Sequence, residues 1–548
     1  MKKAKRPLAL LLCVCLLLGS GGASVLAADG AAVAPSATDR TLYSVADWAA
    51  VGLINLIRML IPGKPVCKYE QSPDFYPGQD GFRSAPEAGA RWNLGYARAP
   101  LLTDDIFDGK HYVGGGLVGP GQTPVIDAKT PTELIDNQLV RVVALSDGGT
   151  RGTVIFAVID GFGITSADVR RVRAKLAEND YVKTHNIVSI NVSVLHQHSE
   201  IDTLGMNGPI LPMVFLNPVA NVTGLFQPYS GKNPGFMQHL YTTVTDAVKA
   251  AVADMKPGTL SYGAADMTEY IRDKREPLVF DSDLHRLRFT PDPTAQDPAP
   301  RETWIANLAI HCTGNGAAGR ELTGDYPYYM EQVISDPAGP NANFLLIQGA
   351  QLAITLDTSP IDQPDQTALE KLRLYGEALG GLLAGIQDTP VTPLLNIAHK
   401  EYAMPIDNPL HLLFFKLGAV EATVSRANLL GTKLDLITEV GYLELGDQLS
   451  IAICPGETEP ALAFGGGLTA AQAWKGEDWA FTPMKDDVPA GRKLIVFGLT
   501  NDHCGYNLLK NDVHPFVQFG NEEVNAASTL GGERLVDAFA ALTASVRG

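Results

Sequence analysis

The sequence predicts an α/β fold: a large mixed-sheet domain whose strand ends form a metal site. Three observations predict it. From about residue 90 onward, short β-branched and aromatic runs alternate with segments of helical period, the pattern of sheets layered with helices. Several of those runs break at a turn that presents a histidine, a glutamate or a tyrosine, and ligands gather at strand ends in α/β sheets. The composition permits a large core. The 548 residues are 45% hydrophobic and 19% charged, which excludes a disordered or fibrous chain.

Taken in order, residues 1–27 read as an export signal. Lys2, Lys3, Lys5 and Arg6 form a basic patch, Leu8 to Leu18 an apolar run, and Val25-Leu26-Ala27 a cleavage site near Ala27. The run is short for a bilayer span, so a secreted protein is expected. Residues 28–89 read as a leader, loose over 28–42. Within it Trp48, Val51, Leu53, Ile54, Ile57, Leu60 and Ile61 predict an amphipathic helix over 45–61. That helix either packs on its own domain or contributes peripheral membrane contact at the entrance for an apolar substrate. Residues 90–548 read as one large domain. Strands are predicted over 153–159, 187–195, 304–310, 344–347, 449–453 and 493–499. Helices are predicted over 166–178, with Thr165 or Ser166 as N-cap, and over 238–255, 369–386 and 534–546.

Several classes of function are excluded. A net charge of −17 opposes phosphate backbones, so no nucleic-acid partner is expected. The chain lacks G-x-S-x-G, S-x-x-K and H-E-x-x-H. Gly114, Gly116 and Gly119 satisfy G-x-G-x-x-G, but no apolar strand precedes them and no helix pattern follows. They read as a glycine loop, not a dinucleotide site. Beyond residue 27 the cysteines are Cys67, Cys312, Cys454 and Cys504. An even count in an exported chain permits two disulfides; buried free thiols are the alternative.

The chemistry concentrates in a few places. Val194-Leu195-His196-Gln197-His198 ends a predicted strand, and period two puts both imidazoles on one face. Other predicted strands end in His311, in Pro455-Gly456-Glu457, and in a turn holding Asp502, His503, Cys504 and Tyr506. Several such ends converging is how a catalytic zinc site is assembled. Taken singly, each has a plainer reading: His311 as a core histidine, Glu457 as a helix cap, Tyr506 as packing. Asp160, Asp325 and Asp502 read as imidazole partners or as turn formers.

The order H-x-H, then Ala309-Ile310-His311, then Pro455-Gly456-Glu457, then Gly498-Leu499-Thr500-Asn501 with Gly505-Tyr506 resembles the neutral/alkaline, non-lysosomal ceramidases. Leu94–Pro100, Thr323–Pro327 and the stretch from Gln348 to Thr358-Ser359-Pro360 are similar to further segments of that family, so the resemblance spans about 90–548. It implies a ceramidase-like catalytic domain holding Zn2+ on His196, His311, Glu457 and Tyr506. His198 is implied to contact substrate and move a proton, Arg275 to lie near the scissile carbonyl, and Ser359 to belong to the active site. The implied reaction is hydrolysis of the amide of a lipid-like substrate, a ceramide-like N-acyl lipid, into fatty acid and amine. The chain departs from the family at Gln197, Ser199-Glu200-Ile201, His503 and Cys504, and no C-terminal β-sandwich is expected. The alternatives are a zinc hydrolase of the same fold for another amide or ester, and a non-catalytic lipid- or glycan-binding relative.

Overall fold

The structure is a computed structural model that describes residues 37–60, 63, 66, 68, 74–115, 125–127, 133–315, 321–429, 432–515 and 522–547. The signal 1–27, Cys67, Gly116 and Gly119 lie outside these residues. Among the described residues there are two large mixed sheets. The larger has nine strands, eight of them in the order 343–348, 303–308, 283–291, 256–266, 92–100, 139–146, 153–159 and 187–194; Thr389–Pro390 pairs beside Lys256–Asp266. The smaller runs 395–405, 434–445, 449–453 and 493–497, with Val424–Arg426 paired to Leu434–Leu445.

Within these two sheets most pairings are antiparallel, but three are parallel: 153–159 with 187–194, 303–308 with 343–348, and 449–453 with 493–497. In a parallel pair both C-terminal ends emerge on the same side. Every histidine, glutamate and tyrosine singled out for metal binding follows one of these pairs.

Strand residues divide between two cores with period two. Val143, Leu145, Val154, Phe156 and Val158 face one core; Val142, Ala144, Ile155, Ala157 and Ile159 face the other. Burial on both faces explains why these strands read as continuous apolar runs. The first core is shared with Leu443, Leu445, Ile451, Ile453, Ile495 and Phe497, so the two sheets pack face to face. Phe156 meets Phe497 edge to face, 5.6 Å between centroids. Helices Ser166–Ala177 and Pro234–Ala253 cover the outer face of the larger sheet, and Gly531–Arg547 covers that of the smaller. Asp325–Ser335 and Ala368–Ala384 pack on the shared core.

The predicted strands and helices are present with ends shifted by a few residues, and Thr165 is the N-cap of Ser166–Ala177. The N-terminal helix runs Ala37–Leu60 and begins before the predicted residue 45. Its extension into the expected loose leader has a simple cause: no proline lies between Pro35 and Pro62, so nothing ends the helix there. Arg58 Nη1 donates to Thr432 O at 3.2 Å and ties the helix to the domain, while Leu42, Val45, Trp48, Leu56 and Leu60 stay exposed.

Polar contacts also join the sheets. Arg173 makes a buried ion pair with Glu439 at 2.9 and 2.6 Å. His399 Nε2 lies 2.8 Å from Ser189 Oγ. Burial lowers the His399 pKa to about 4, with Arg173 acting in the same direction and Glu439 against it. The folded protein therefore keeps His399 neutral where the unfolded chain, with a pKa near 6.5, takes up a proton. Stability is expected to fall by up to about 3 kcal/mol as pH drops from about 6.5 to 4. His399→Gln is expected to lose that part of the slope. Urea unfolding at pH 7 and pH 4.5 measures it, and an unchanged pH dependence in the variant would refute the assignment.

Candidate metal centre

The first histidine is placed by a break in its strand. The strand ends at Val194, and His196 takes a left-handed backbone with φ 62. Period-two alternation therefore does not carry the H-x-H pair, contrary to the expectation. A turn does, and it brings the two rings to 4.8 Å between centroids at 87°. A non-glycine residue at such φ costs about 1–2 kcal/mol, so the turn needs support. Gln197 supplies it. Its Oε1 accepts from Gly161 N at 2.7 Å, and its Nε2 donates to Asp160 Oδ1 and to Gly324 O, both at 3.1 Å.

His311 leaves the strand Thr303–Leu308. Tyr326 Oη donates to Ile310 O at 2.8 Å and fixes the backbone before it. Gln348 joins the two histidine segments: its Nε2 donates to Leu195 O at 3.2 Å and its Oε1 accepts from Ile310 N at 3.4 Å. Glu457 follows the smaller sheet's strand Leu449–Ile453. It pairs in parallel register with Tyr506, which sets the two residues side by side. Gly456 (φ 61) makes this possible, because a Cβ there would lie 2.3 Å from Gly505 O. Glu457 does not cap the helix Pro460–Phe464; that position belongs to Glu459.

The protonation states follow from the carbonyls. Nδ1 of His196 lies 2.8 Å from Phe162 O, that of His198 2.8 Å from Gly115 O, and that of His311 2.8 Å from Ile354 O. A carbonyl only accepts, so each Nδ1 carries the proton and each Nε2 keeps its lone pair. His196 Nε2 then faces Glu457 Oε1 at 3.3 Å, and His311 Nε2 faces Glu457 Oε2 at 2.7 Å. Two imidazole lone pairs against a buried carboxylate repel unless a cation lies among them. Donors about 2.0–2.2 Å from a tetrahedral zinc ion stand roughly 3.3–3.5 Å apart; the His196–Glu457 separation matches that spacing, and the His311–Glu457 separation is shorter. Burial pulls the His196 pKa well below its ordinary value and that of His198 down to about 3. For His311 burial also lowers the pKa, but the Glu457 carboxylate outweighs it and the shift is upward. In metal-free protein His311 is the group that takes the bridging proton.

One neighbour was not assigned from the sequence. One ligand atom each from His196, Glu457 and His503 lie within 4.8 Å of one another. Phe162 also joins the site, stacked on His196 at 4.6 Å and edge-on to His198 at 4.9 Å. The signal for His503 was its place in the turn that ends in Tyr506; nothing in the sequence around Phe162 marked it.

The other expected residues make contacts of their own. The Arg275 guanidinium is held by Asp512 Oδ2 at 3.1 Å and Glu523 Oε1 at 2.9 Å. Lys274, beside it, is the cation whose field reaches His311. Ser359 sits in an exposed turn with its hydroxyl bonded to Asp357. Asp160, Asp325 and Asp502 act as backbone and turn partners: Asp160 accepts from Leu139 N at 2.9 Å, Asp325 from Tyr326 N at 2.8 Å and Asp502 from Ser166 N at 2.8 Å. The carbonyls orient the imidazoles in their place. Cys312, Cys454 and Cys504 are buried free thiols, and burial raises their pKa values, that of Cys454 to about 12.

No protein-family model matches the chain, and no curated protein does. Among solved structures, neutral ceramidase from Pseudomonas aeruginosa superposes with a TM-score of 0.57 at 14% identity, over 84% of this chain and 75% of that one. A ceramidase structure described as complexed with C2 gives a TM-score of 0.57 at 13% identity, over 83% and 75%. The fold is therefore shared with those enzymes.

Gly115, where the glycine loop begins, lies against His198. Gly115 has φ 136, and a Cβ on it would lie 2.3 Å from His198 O. Gly115→Ala is expected to lower stability by about 1–3 kcal/mol. The control is Gly381→Ala, on an exposed helix face with nothing within 4 Å of its Cβ, expected to raise stability by up to about 1 kcal/mol. Urea midpoints measure both; a neutral Gly115→Ala would show that Gly115 does not press on His198.

Proposed function

We propose that this chain, which has the fold of neutral ceramidase, is a zinc-dependent amidohydrolase that cleaves the amide of ceramide-like N-acyl lipids into fatty acid and amine. The observation that carries the proposal is the Glu457 carboxylate lodged against the lone pairs of His196 and His311. The shared fold and the ordered sequence motifs support it. In the proposal His196, His311 and Glu457 hold the ion, with Tyr506 beside Glu457 completing the set.

Zinc supplies Lewis acidity: it lowers the pKa of water from 15.7 toward about 7 and polarises an amide carbonyl. The remaining chemistry belongs to the chain. Phe162 O, Gly115 O and Ile354 O fix the tautomers, so no imidazole has to reorganise before it binds or accepts. His198 Nε2 is buried and has no hydrogen-bond partner. It is placed to take a proton from attacking water and pass it to the leaving amine, which is more basic. Phe162 packs against His196 and His198 and keeps water away from both rings. Export by residues 1–27 is part of the same proposal, as is contact of the exposed face of Ala37–Leu60 with lipid.

The test combines metal analysis with turnover. Purified protein is expected to hold about one zinc per chain, to lose activity on a fluorescent ceramide when chelated, and to regain it with added zinc. His196→Ala and Glu457→Gln are each expected to cost more than about 100-fold in kcat/KM, since even partners that only orient a ligand are worth about 10–100-fold. Zinc-containing protein that cleaves short-chain esters but not N-acyl amines would redirect the substrate class. Zinc-free protein indifferent to chelator would sink the enzyme reading.

A further inference from the structure

Resting on that reading, we propose that His503 is itself a ligand of the ion, a third imidazole added to the set of His196, His311, Glu457 and Tyr506. The resemblance assigns no such role to this position; the geometry points to it. One ligand atom of His503 falls within 4.8 Å of those of His196 and Glu457. Its ring stacks on His196 at 5.3 Å and 21°. Its Nδ1 is buried with no hydrogen-bond partner. A histidine kept for packing normally finds such a partner, because an unpaired buried polar atom costs about 1–3 kcal/mol. A metal bond through the ring changes that balance.

The position is built, not incidental. Asp502, one residue before His503, is pinned to both sheets' ends: its backbone O accepts from Gly456 N at 2.8 Å and its Oδ1 from Ser166 N at 2.8 Å. Asn501 carries φ 67, and its side chain is bonded to Val192 N at 2.9 Å and Glu439 Oε1 at 2.6 Å. On the far side Gly163 leaves room for the ring: a Cβ there would lie 3.0 Å from His503 Cγ. The chain thus spends a left-handed residue and four buried hydrogen bonds to set this imidazole beside His196.

The consequence is a nitrogen-rich site. Against a set of two imidazoles, one carboxylate and a tyrosine, a third imidazole favours zinc and cobalt over hard cations such as magnesium.

The test counts imidazoles. X-ray absorption at the zinc edge of the zinc-loaded full-length protein is expected to show three. His503→Ala is expected to drop the count to two and to weaken zinc at least tenfold in chelator competition, with His503→Gln behaving alike. His198→Ala and Tyr506→Phe are expected to leave the count at three. A wild-type count of two, or an unchanged count and affinity in both His503 variants, overturns the inference and leaves the hydrolase proposal standing. Wild-type protein that takes up no zinc overturns both. If the His503 variants do not fold, the wild-type and His198→Ala counts decide alone: three in each supports His503, two in either opposes it.

Discussion

One buried contact organises the molecule: the Glu457 carboxylate, just beyond a strand of the smaller sheet, against His196 and His311, just beyond strands of the larger. A carboxylate stripped of water costs several kcal/mol unless a positive charge compensates it. Here the compensation comes from a proton on His311 or from a cation among the three groups. Either way the two sheets are linked through a site that tolerates little displacement. The edge-to-face packing of Phe156 on Phe497 and the Arg173–Glu439 pair hold the sheets at the separation this contact requires.

The price of the site is local strain. His196, Leu499 and Asn501 all have positive φ, and all lie in or beside ligand-bearing turns. Each such residue costs about 1–2 kcal/mol. Polar side chains with no chemistry of their own stabilise the turns. Gln197 fixes the H-x-H turn, Gln348 joins it to the His311 segment, and Asn501 ties the last turn to the strand Ile187–Val194. Glycine supplies the closest approaches: a Cβ on Gly498 would lie 2.3 Å from Gly349 O, where the loops after two strands pass each other. Such a framework is rigid, which suits a site whose imidazoles are aligned in advance.

The apolar parts of this architecture were legible. The runs 153–159, 187–194, 449–453 and 493–497 are buried on both faces and announce themselves. Strands that mix charge with apolar residues were not. Leu395–Pro405, with His399, Lys400 and Glu401, and Leu434–Leu445, with Asp435, Glu439 and Glu444, lack a clean period, because their charges are paired by tertiary partners such as Arg173. The nitrogens of the metal centre were readable as residue types at strand ends. Their carbonyl partners were not, since a backbone acceptor leaves no mark in a sequence.

By itself the sequence determined the α/β class, the apolar strands and the set of metal-competent side chains, because hydrophobic period and residue chemistry are local properties. Only the tertiary structure decided which strands run parallel, and so which loops share one end. It alone decided that His196 reaches its neighbours through a left-handed turn, that Arg275 is held by carboxylates, and that His503 stands beside His196 and Glu457. The physical reason is distance along the chain. Residues 196, 311, 457 and 503 come from segments that meet only after both sheets have formed, and no local preference encodes that meeting.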